Sequence, residues 1–181
     1  IIHPDGSAYS VDMSTDTLFR LDSSVPGGVR ESYAIPTDSL PLGGYDVTGA
    51  LPANTDMRVG PHSLQADDQG SIWITLAVGN KLARFDTSTK TFAILDLPHG
   101  ISPHTLRIDQ KGRSWYTMAV SKHVGMHDPA TGEHKVSRVP ARSFGEGVML
   151  RMLPTLMKFS RWFDVGDGGA ASEGDSLPVP Y

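Results

Sequence analysis

The sequence predicts an all-β fold, specifically part of a β-propeller with four-stranded blades of about 42 residues and one helical insert. Residues 61–98 and 101–140 form two copies of one pattern, offset by 42 positions. Each copy contains short runs of apolar and β-branched residues separated by turns that contain Gly, Asn or Asp. A fixed period of about 40–50 residues built from short strands is typical of propellers.

Two sets of equivalent residues define the repeat. The first copy contributes Pro61, His62, Asp67, Gly70, Trp73, Thr75 and Asp86, and the second contributes Pro103, His104, Asp109, Gly112, Trp115, Thr117 and Asp128. Equivalent residues of successive blades lie at equivalent corners of a propeller because the blades repeat one structural unit. His62 and His104 are therefore expected to face the same mouth of the central channel.

The pattern also predicts how the chain is divided. The segments are a partial blade at 1–37, a loop insert at 38–60, full blades at 61–98 and 101–140, a helical and flexible insert at 141–177, and the start of a further blade at 178–181. Because propellers need about four to eight blades, we expect a fragment from which blades are missing. Such a fragment, expressed alone, is expected to be unstable or self-associated, since its strand faces and edges are unpaired.

Residue types predict four strands in each full blade. They are expected at 63–67, 71–76, 81–86 and 91–95, and again near 105–109, 114–118, 123–127 and 134–138. The strand at 71–76 is apolar and β-branched, which is typical of a strand buried on both faces. The strand at 81–86 alternates apolar and polar residues, which favours one buried face.

The insert after Pro140 has apolar residues at helical spacing, at 148–153 and 156–159, and Pro154 is expected to kink or split this helix. Four roles are open for it. They are those of a lid, of a partner-docking helix, of a membrane-surface anchor and of a helix packed against the propeller.

Charge and composition narrow the class of partner. The 181 residues carry a net charge of −4, so there is no basic excess to bind nucleic acid. The absence of cysteine excludes disulfides and thiolate metal sites. No apolar run approaches the roughly 20 residues of a transmembrane helix. Since the chain starts at Ile1 rather than Met, the true N-terminus is expected to be missing, and both a cytoplasmic and a bacterial periplasmic or secreted location remain open.

The blade pattern resembles the virginiamycin B lyase (streptogramin lyase) family. Its blades carry Pro-His or Pro-Tyr before Gly-Ile, then Gly-x-(Leu/Ile/Val)-Trp-Phe-Thr, and then Asn-x-Ile-Gly-Arg. The corresponding stretches here are 60–64, 70–75, 80–84 and 112–117. The resemblance is good over 61–140 and loose over 6–24.

The resemblance implies a candidate activity and a candidate cofactor. Active members open a cyclic depsipeptide antibiotic by elimination, in which a base removes the proton α to a carbonyl and the ester oxygen on the neighbouring carbon leaves. The two histidines of the family correspond to His62 and His104, which are the candidate catalytic residues. The family supports Mg²⁺ with two glutamates, and the matching positions hold Ser102 and Ala119, so both carboxylates are missing.

The strongest candidates also have structural interpretations. His62 and His104 are either a ligand-contacting or catalytic pair, or blade-start histidines that cap a turn. Trp73 and Trp115 are expected to pack between blades, and stacking on a ligand is the alternative.

Further polar residues of the full blades are expected to be structural. His123, His127 and His134 suggest a metal site, but histidines on separated strands of a polar surface are usually solvated. Asp86 and Asp128 each close a third strand and are expected to accept hydrogen bonds from turn amides.

Three functions compete at this point. The first is a Mg²⁺-dependent carbon–oxygen lyase that opens a small cyclic peptide at the channel mouth and so confers antibiotic resistance. The second is a non-catalytic propeller, a sensor or interaction module that binds a peptide, a glycan or a protein partner. The third is a lactonase-type propeller hydrolase, for which the sequence offers no matching set of metal ligands.

Overall fold

A computed structural model describes residues 1–22, 24–25, 29–36, 59–141, 143–145, 147–149 and 151–152. Most of these residues lie in strands. The strands are β1 (Ala8–Asp12), β2 (Thr17–Asp22), β3 (Val29–Ala34), β4 (Pro61–Ala66), β5 (Ser71–Leu76), β6 (Lys81–Asp86), β7 (Thr91–Asp96), β8 (Pro103–Ile108), β9 (Ser114–Met118), β10 (His123–Asp128) and β11 (Glu133–Arg138).

The strands form three antiparallel sheets, in each of which consecutive strands are neighbours. Blade 1 is β1–β3, blade 2 is β4–β7 and blade 3 is β8–β11. In blade 1 a single bridge between Ile2 and Ala8 stands where the other blades have their first strand. The arrangement confirms the predicted four-stranded blades of a β-propeller.

Two apolar clusters join the blades. The cluster between blades 1 and 2 contains Tyr9, Leu18, Ile35, Val59, Ile72, Ile74, Leu76, Ala83 and Phe85. The cluster between blades 2 and 3 contains Trp73, Leu82, Leu97, Leu106, Tyr116 and Met118. Successive residues of β5 point to opposite faces of its sheet, and all of them are buried. The prediction that 71–76 is buried on both faces is confirmed.

The two repeat tryptophans have different surroundings. Each donates a hydrogen bond of 2.8 Å from Nε1 to an aspartate, Trp73 to Asp67 and Trp115 to Asp109. Trp73 is 1% exposed between blades 2 and 3, as expected. Trp115 is 39% exposed, because no described blade covers the outer face of blade 3. The expectation of packing between blades therefore does not hold for Trp115 in the described residues.

Several predictions concern residues outside the described ranges. The loop insert at 38–60 is described only at Val59 and Gly60, and the segment 178–181 lies outside the description. Helical residues occur at 144–145, 147–149 and 151–152, earlier than the expected start at 148, and the helix predicted at 156–159 is not described. Among the described residues, no helix is both long and apolar enough to span a bilayer.

Candidate functional site

His62 and His104 lie against each other where blades 2 and 3 begin. His62 is the second residue of β4, and His104 is the second residue of β8. Their ring centroids are 3.5 Å apart, and the ring planes are inclined by 36°. The structure thus brings together the two candidate residues, and we call them the entry pair.

A bulge at the same point of each blade places the entry pair. The pairing register shifts between Pro61 and Leu64 in β4 and between Pro103 and Leu106 in β8. A bulge adds a residue to one strand and so re-aims the side chains around it. Both strands begin at a proline, two residues before the positions 63 and 105 expected from the apolar pattern.

Buried Thr75 links the two bulges. Its Oγ1 accepts a hydrogen bond from the backbone N–H of Ser63 at 3.0 Å and donates one to the carbonyl oxygen of His104 at 2.7 Å. The backbone N–H of Leu106 in turn donates to Oγ of Ser63 at 3.2 Å. These bonds fix the start of β8 relative to the start of β4, and with it the spacing of the two imidazoles.

Residues of each preceding blade hold the segments that lead into the entry pair. Asp16, in the hairpin turn of blade 1, accepts hydrogen bonds from the backbone N–H groups of Val59 and Gly60, at 3.0 and 2.9 Å. The equivalent Asn80 of blade 2 accepts from the N–H of Ser102 at 3.0 Å. Both turn residues have left-handed φ, 50° and 54°, a conformation that Asp and Asn tolerate better than most residues.

The neighbour of His62 affects its protonation. His62 is exposed overall, but partial burial of its imidazole, and then the nearby His104, lower the pKa of His62 below its ordinary value of 6.5. A second positive charge at 3.5 Å would be unfavourable. His62 is therefore uncharged at neutral pH and can accept a proton or a hydrogen bond from a ligand.

The residues beside the entry pair do not fit a magnesium ion. Mg²⁺ prefers oxygen ligands, mainly carboxylates, and the positions matching the glutamates of the family are Ser102 and Ala119. They are neighbours, since the N–H of Ala119 donates to the carbonyl oxygen of Ser102 at 2.9 Å. Among the described residues, no group of three or more His, Cys, Asp or Glu side chains could hold a metal ion.

The other predicted polar residues take up separate positions. Asp86 accepts hydrogen bonds from the N–H groups of Ser88 and Thr89, and Asp128 accepts one from the N–H of Ala130, which confirms their predicted role in turns. His123, His127 and His134 were expected to be solvated. That expectation is wrong for His127, which is 4% exposed because it lies in the interface with blade 2.

Sequence reasoning missed the residues that hold the entry pair in place. Thr75, Asp16 and Asn80 act through backbone groups that are distant in the sequence. A signal was available for Thr75, which recurs as Thr117, and for Asn80, which belongs to the Asn-Lys-Leu-Ala-Arg stretch. Neither recurrence shows which backbone group the side chain bonds, because that depends on the packing of one blade on the next.

Comparison with known proteins supports the fold. No family model and no curated protein sequence matches the chain. A structure of virginiamycin B lyase from Staphylococcus aureus, a catalytically inactive H270A variant with quinupristin, matches with a TM-score of 0.61 at 16% identity, over 78% of this chain and 41% of that chain. This chain therefore spans less than half of the length of that lyase.

Two further solved structures are also similar. The RRP9 WD40 repeats match with a TM-score of 0.54 at 10% identity, over 76% of this chain and 35% of that chain. Kuenenia stuttgartiensis hydrazine synthase matches with a TM-score of 0.55 at 14% identity, over 74% of this chain and 33% of that chain. Identities this low establish a shared fold and no shared activity. The described blades have the β-propeller fold, and they resemble the blades of virginiamycin B lyase.

Proposed function

We propose that the chain is the ligand-binding part of a propeller of the streptogramin lyase type, with the entry pair contacting the ligand. The observation that carries this proposal is the 3.5 Å approach of His62 and His104 on consecutive blades. Two imidazoles at one corner of the blades offer hydrogen-bonding nitrogens and flat aromatic faces. Such a pair suits a ligand with carbonyl groups and aromatic rings, as in a cyclic depsipeptide.

Binding is favoured over catalysis by what surrounds the pair. Elimination next to a carbonyl develops negative charge on the carbonyl oxygen, and stabilising that charge is usually the largest contribution to the rate. The described neighbours Ser102 and Ala119 provide no carboxylate that could hold a cation for this purpose. A binding site needs only the two imidazoles and the bulged backbone that presents them.

Carbon–oxygen lyase activity is the second candidate, and the lowered pKa of His62 favours it. An uncharged imidazole can take the proton α to a carbonyl as a general base. The electron pair of the broken C–H bond then forms the C=C bond, the C–O bond to the neighbouring carbon breaks, and the carboxylate leaves. The opened product has the same mass as the ring.

The test uses quinupristin as the ligand. We expect a titration followed by NMR to shift the imidazole signals of His62 and His104, and the H62Q/H104Q variant to weaken binding about tenfold or more. H99Q, which changes an exposed histidine, serves as the control and should bind as the unmodified chain does. Unchanged affinity in H62Q/H104Q would overturn the proposal.

Mass spectrometry of the same mixtures separates the two candidates. Ring opening without a change of mass, lost in H62Q/H104Q, would make the protein a lyase. Ring opening that adds one water would indicate hydrolysis. Binding with an intact ring would leave the propeller as a binding module.

A further inference from the structure

A second pair of histidines lies at the other end of blade 3. His127 in β10 and His134 in β11 stand directly opposite each other in the antiparallel register, and we call them the interface pair. Their ring centroids are 4.3 Å apart, with the planes inclined by 34°. His127 pairs with Ser114 on β9, whereas the opposite end of β9, Met118, pairs with Pro103 beside the entry pair. The two histidine pairs are therefore at opposite ends of the blade.

Blade 2 holds phenylalanines at the equivalent places. Phe85 and Phe92 are 42 residues earlier in the sequence and also stand directly opposite each other. Their ring centroids are 4.8 Å apart, with the planes inclined by 46°. The same packing position is thus filled by two phenyl rings in blade 2 and by two imidazole rings in blade 3. Since phenyl rings fill this position in blade 2, apolar packing alone does not require imidazoles.

The interface pair has unsatisfied nitrogen atoms. His127 is 4% exposed, and its ring centroid is 5.5 Å from that of Trp73 in blade 2. Nδ1 of His127 and Nδ1 of His134 are both buried without a hydrogen-bond partner among the described residues. Leaving such an atom unpaired is unfavourable, and a phenylalanine at the same place would avoid that cost. A buried polar atom without a partner calls for an explanation, and binding of an ion is one such explanation.

The side chains of the interface pair suit a transition metal, because imidazole nitrogen is a ligand that Zn²⁺, Ni²⁺ and Cu²⁺ accept. Asp128 and Glu133, the next residues along each strand, stand opposite each other on the other face of the sheet, since successive strand residues point to opposite faces. Glu133 is paired there with Lys135 at 3.0 Å. The two histidines are therefore the protein ligands of the candidate site.

We propose that His127 and His134 together bind one divalent transition-metal ion such as Zn²⁺, Ni²⁺ or Cu²⁺, with water in the remaining positions. At metal–nitrogen distances of about 2.0–2.1 Å, two imidazoles in neighbouring positions have ring centres roughly 4.5–5 Å apart. The observed separation of 4.3 Å is close to this value. Imidazole ligands favour these metals over Mg²⁺ and Ca²⁺, which prefer oxygen.

Binding at this site would couple the metal to the packing of blades. The ion would link β10 to β11 beside Trp73, a central member of the cluster between blades 2 and 3. Because a ligand that binds the folded state stabilises it, the bound metal is expected to raise the unfolding temperature. Trp73 also provides an optical signal, since Cu²⁺ held close to its indole would quench its fluorescence.

The experiment titrates Cu²⁺, Zn²⁺ and Mg²⁺ into the full chain at about pH 7.5, where imidazoles are deprotonated, and follows tryptophan fluorescence and thermal unfolding. We expect one Cu²⁺ per chain at this site, quenching that is lost in W73F, and stabilisation by Zn²⁺ but not by Mg²⁺. H127F/H134F copies the phenylalanine pair of blade 2. It should fold at least as stably without metal and bind Cu²⁺ about tenfold or more weakly.

Two further variants keep the proposal falsifiable. H62Q/H104Q removes the entry pair. If H62Q/H104Q lost Cu²⁺ binding while H127F/H134F bound Cu²⁺ as the unmodified chain does, the proposal would be overturned. If H127F/H134F does not fold, H134Q, which changes the less buried member of the pair, replaces it, and unchanged Cu²⁺ affinity in H134Q would equally overturn the proposal. A loss of binding and of Trp73 quenching in either interface-pair variant would support it.

Discussion

The hydroxyl of Thr75 in blade 2 donates a 2.7 Å hydrogen bond to the carbonyl oxygen of His104 in blade 3. The same hydroxyl accepts the backbone N–H of Ser63, which follows His62. One buried side chain thus contacts the backbone beside both histidines of the entry pair. The geometry of the candidate site depends on the packing of two blades as much as on the histidines themselves.

Replacing Thr75 by valine tests this link. Valine keeps the shape of threonine but leaves the His104 carbonyl and the Ser63 N–H without their partner, so we expect a loss of about 1–3 kcal/mol in the free energy of unfolding. The imidazole NMR signals of His62 and His104 should shift as well. Denaturant unfolding and NMR titration measure the two effects.

Thr117 provides the matched control for this substitution. It occupies the equivalent place in blade 3, is exposed, and accepts only the 3.2 Å bond from the N–H of Thr105 in the described residues. T117V should cost less than about 1 kcal/mol. Equal losses in T75V and T117V would show that the contact between blades contributes nothing of its own.

Restoring carboxylates beside the entry pair should create cation binding. Ser102 and Ala119 are joined by a 2.9 Å backbone hydrogen bond, so S102E/A119E would place two carboxylates close together near His104. Mg²⁺ prefers such oxygen ligands. We expect calorimetry to detect Mg²⁺ binding in S102E/A119E that is absent in S102Q/A119Q, which has similar side chains without the charge. Mg²⁺ binding of equal strength in both variants would contradict this assignment of the two positions.

Gly125 and Tyr116 form a size-matched pair across β9 and β10. A Cβ added at Gly125 would lie 2.2 Å from the Tyr116 ring, and in blade 2 the corresponding cross-strand pair is Ala83 with Ile74. We expect G125A to be destabilised by about 1–3 kcal/mol or more through overpacking. Combining it with Y116I, which recreates the pair of blade 2, should recover most of that loss in denaturant unfolding. Additive losses in the double mutant would disprove the coupling.

Acid stability should depend on Asp86. Hydrogen bonds from Ser88, then from Thr89, lower the pKa of this carboxyl from 3.8 to about 2. Because the folded state favours the ionised form, this contribution is fully present well above pH 3.8 and is lost as the pH falls towards 2. D86N should therefore show a shallower loss of stability than the unmodified chain between these pH values, measured by denaturant unfolding. Identical slopes in the two proteins would refute the assignment.

Much of the fold could be predicted because its signals are local or periodic. The recurrence of residues 61–98 in 101–140 indicated the blades, and the apolar residues of 71–76 indicated a strand covered on both sides. The starts of β4 and β8 were placed two residues too late, because a bulge follows from how a strand meets its neighbour and leaves no periodic pattern. The exposure of Trp115 could not be predicted either, since burial of its side chain depends on whether another blade packs against blade 3.

The repeat, the four-stranded blades, the turn aspartates and the equivalence of His62 and His104 could all be inferred from the order of the amino acids alone. These features follow from the period of the chain and from the conformational preferences of single residues. It took the packed structure to show that the two imidazoles touch, that Thr75, Asp16 and Asn80 hold them in place, and that His127 is buried beside Trp73. Those relationships join residues of different strands or different blades, and they exist only once the apolar faces of the blades have packed together.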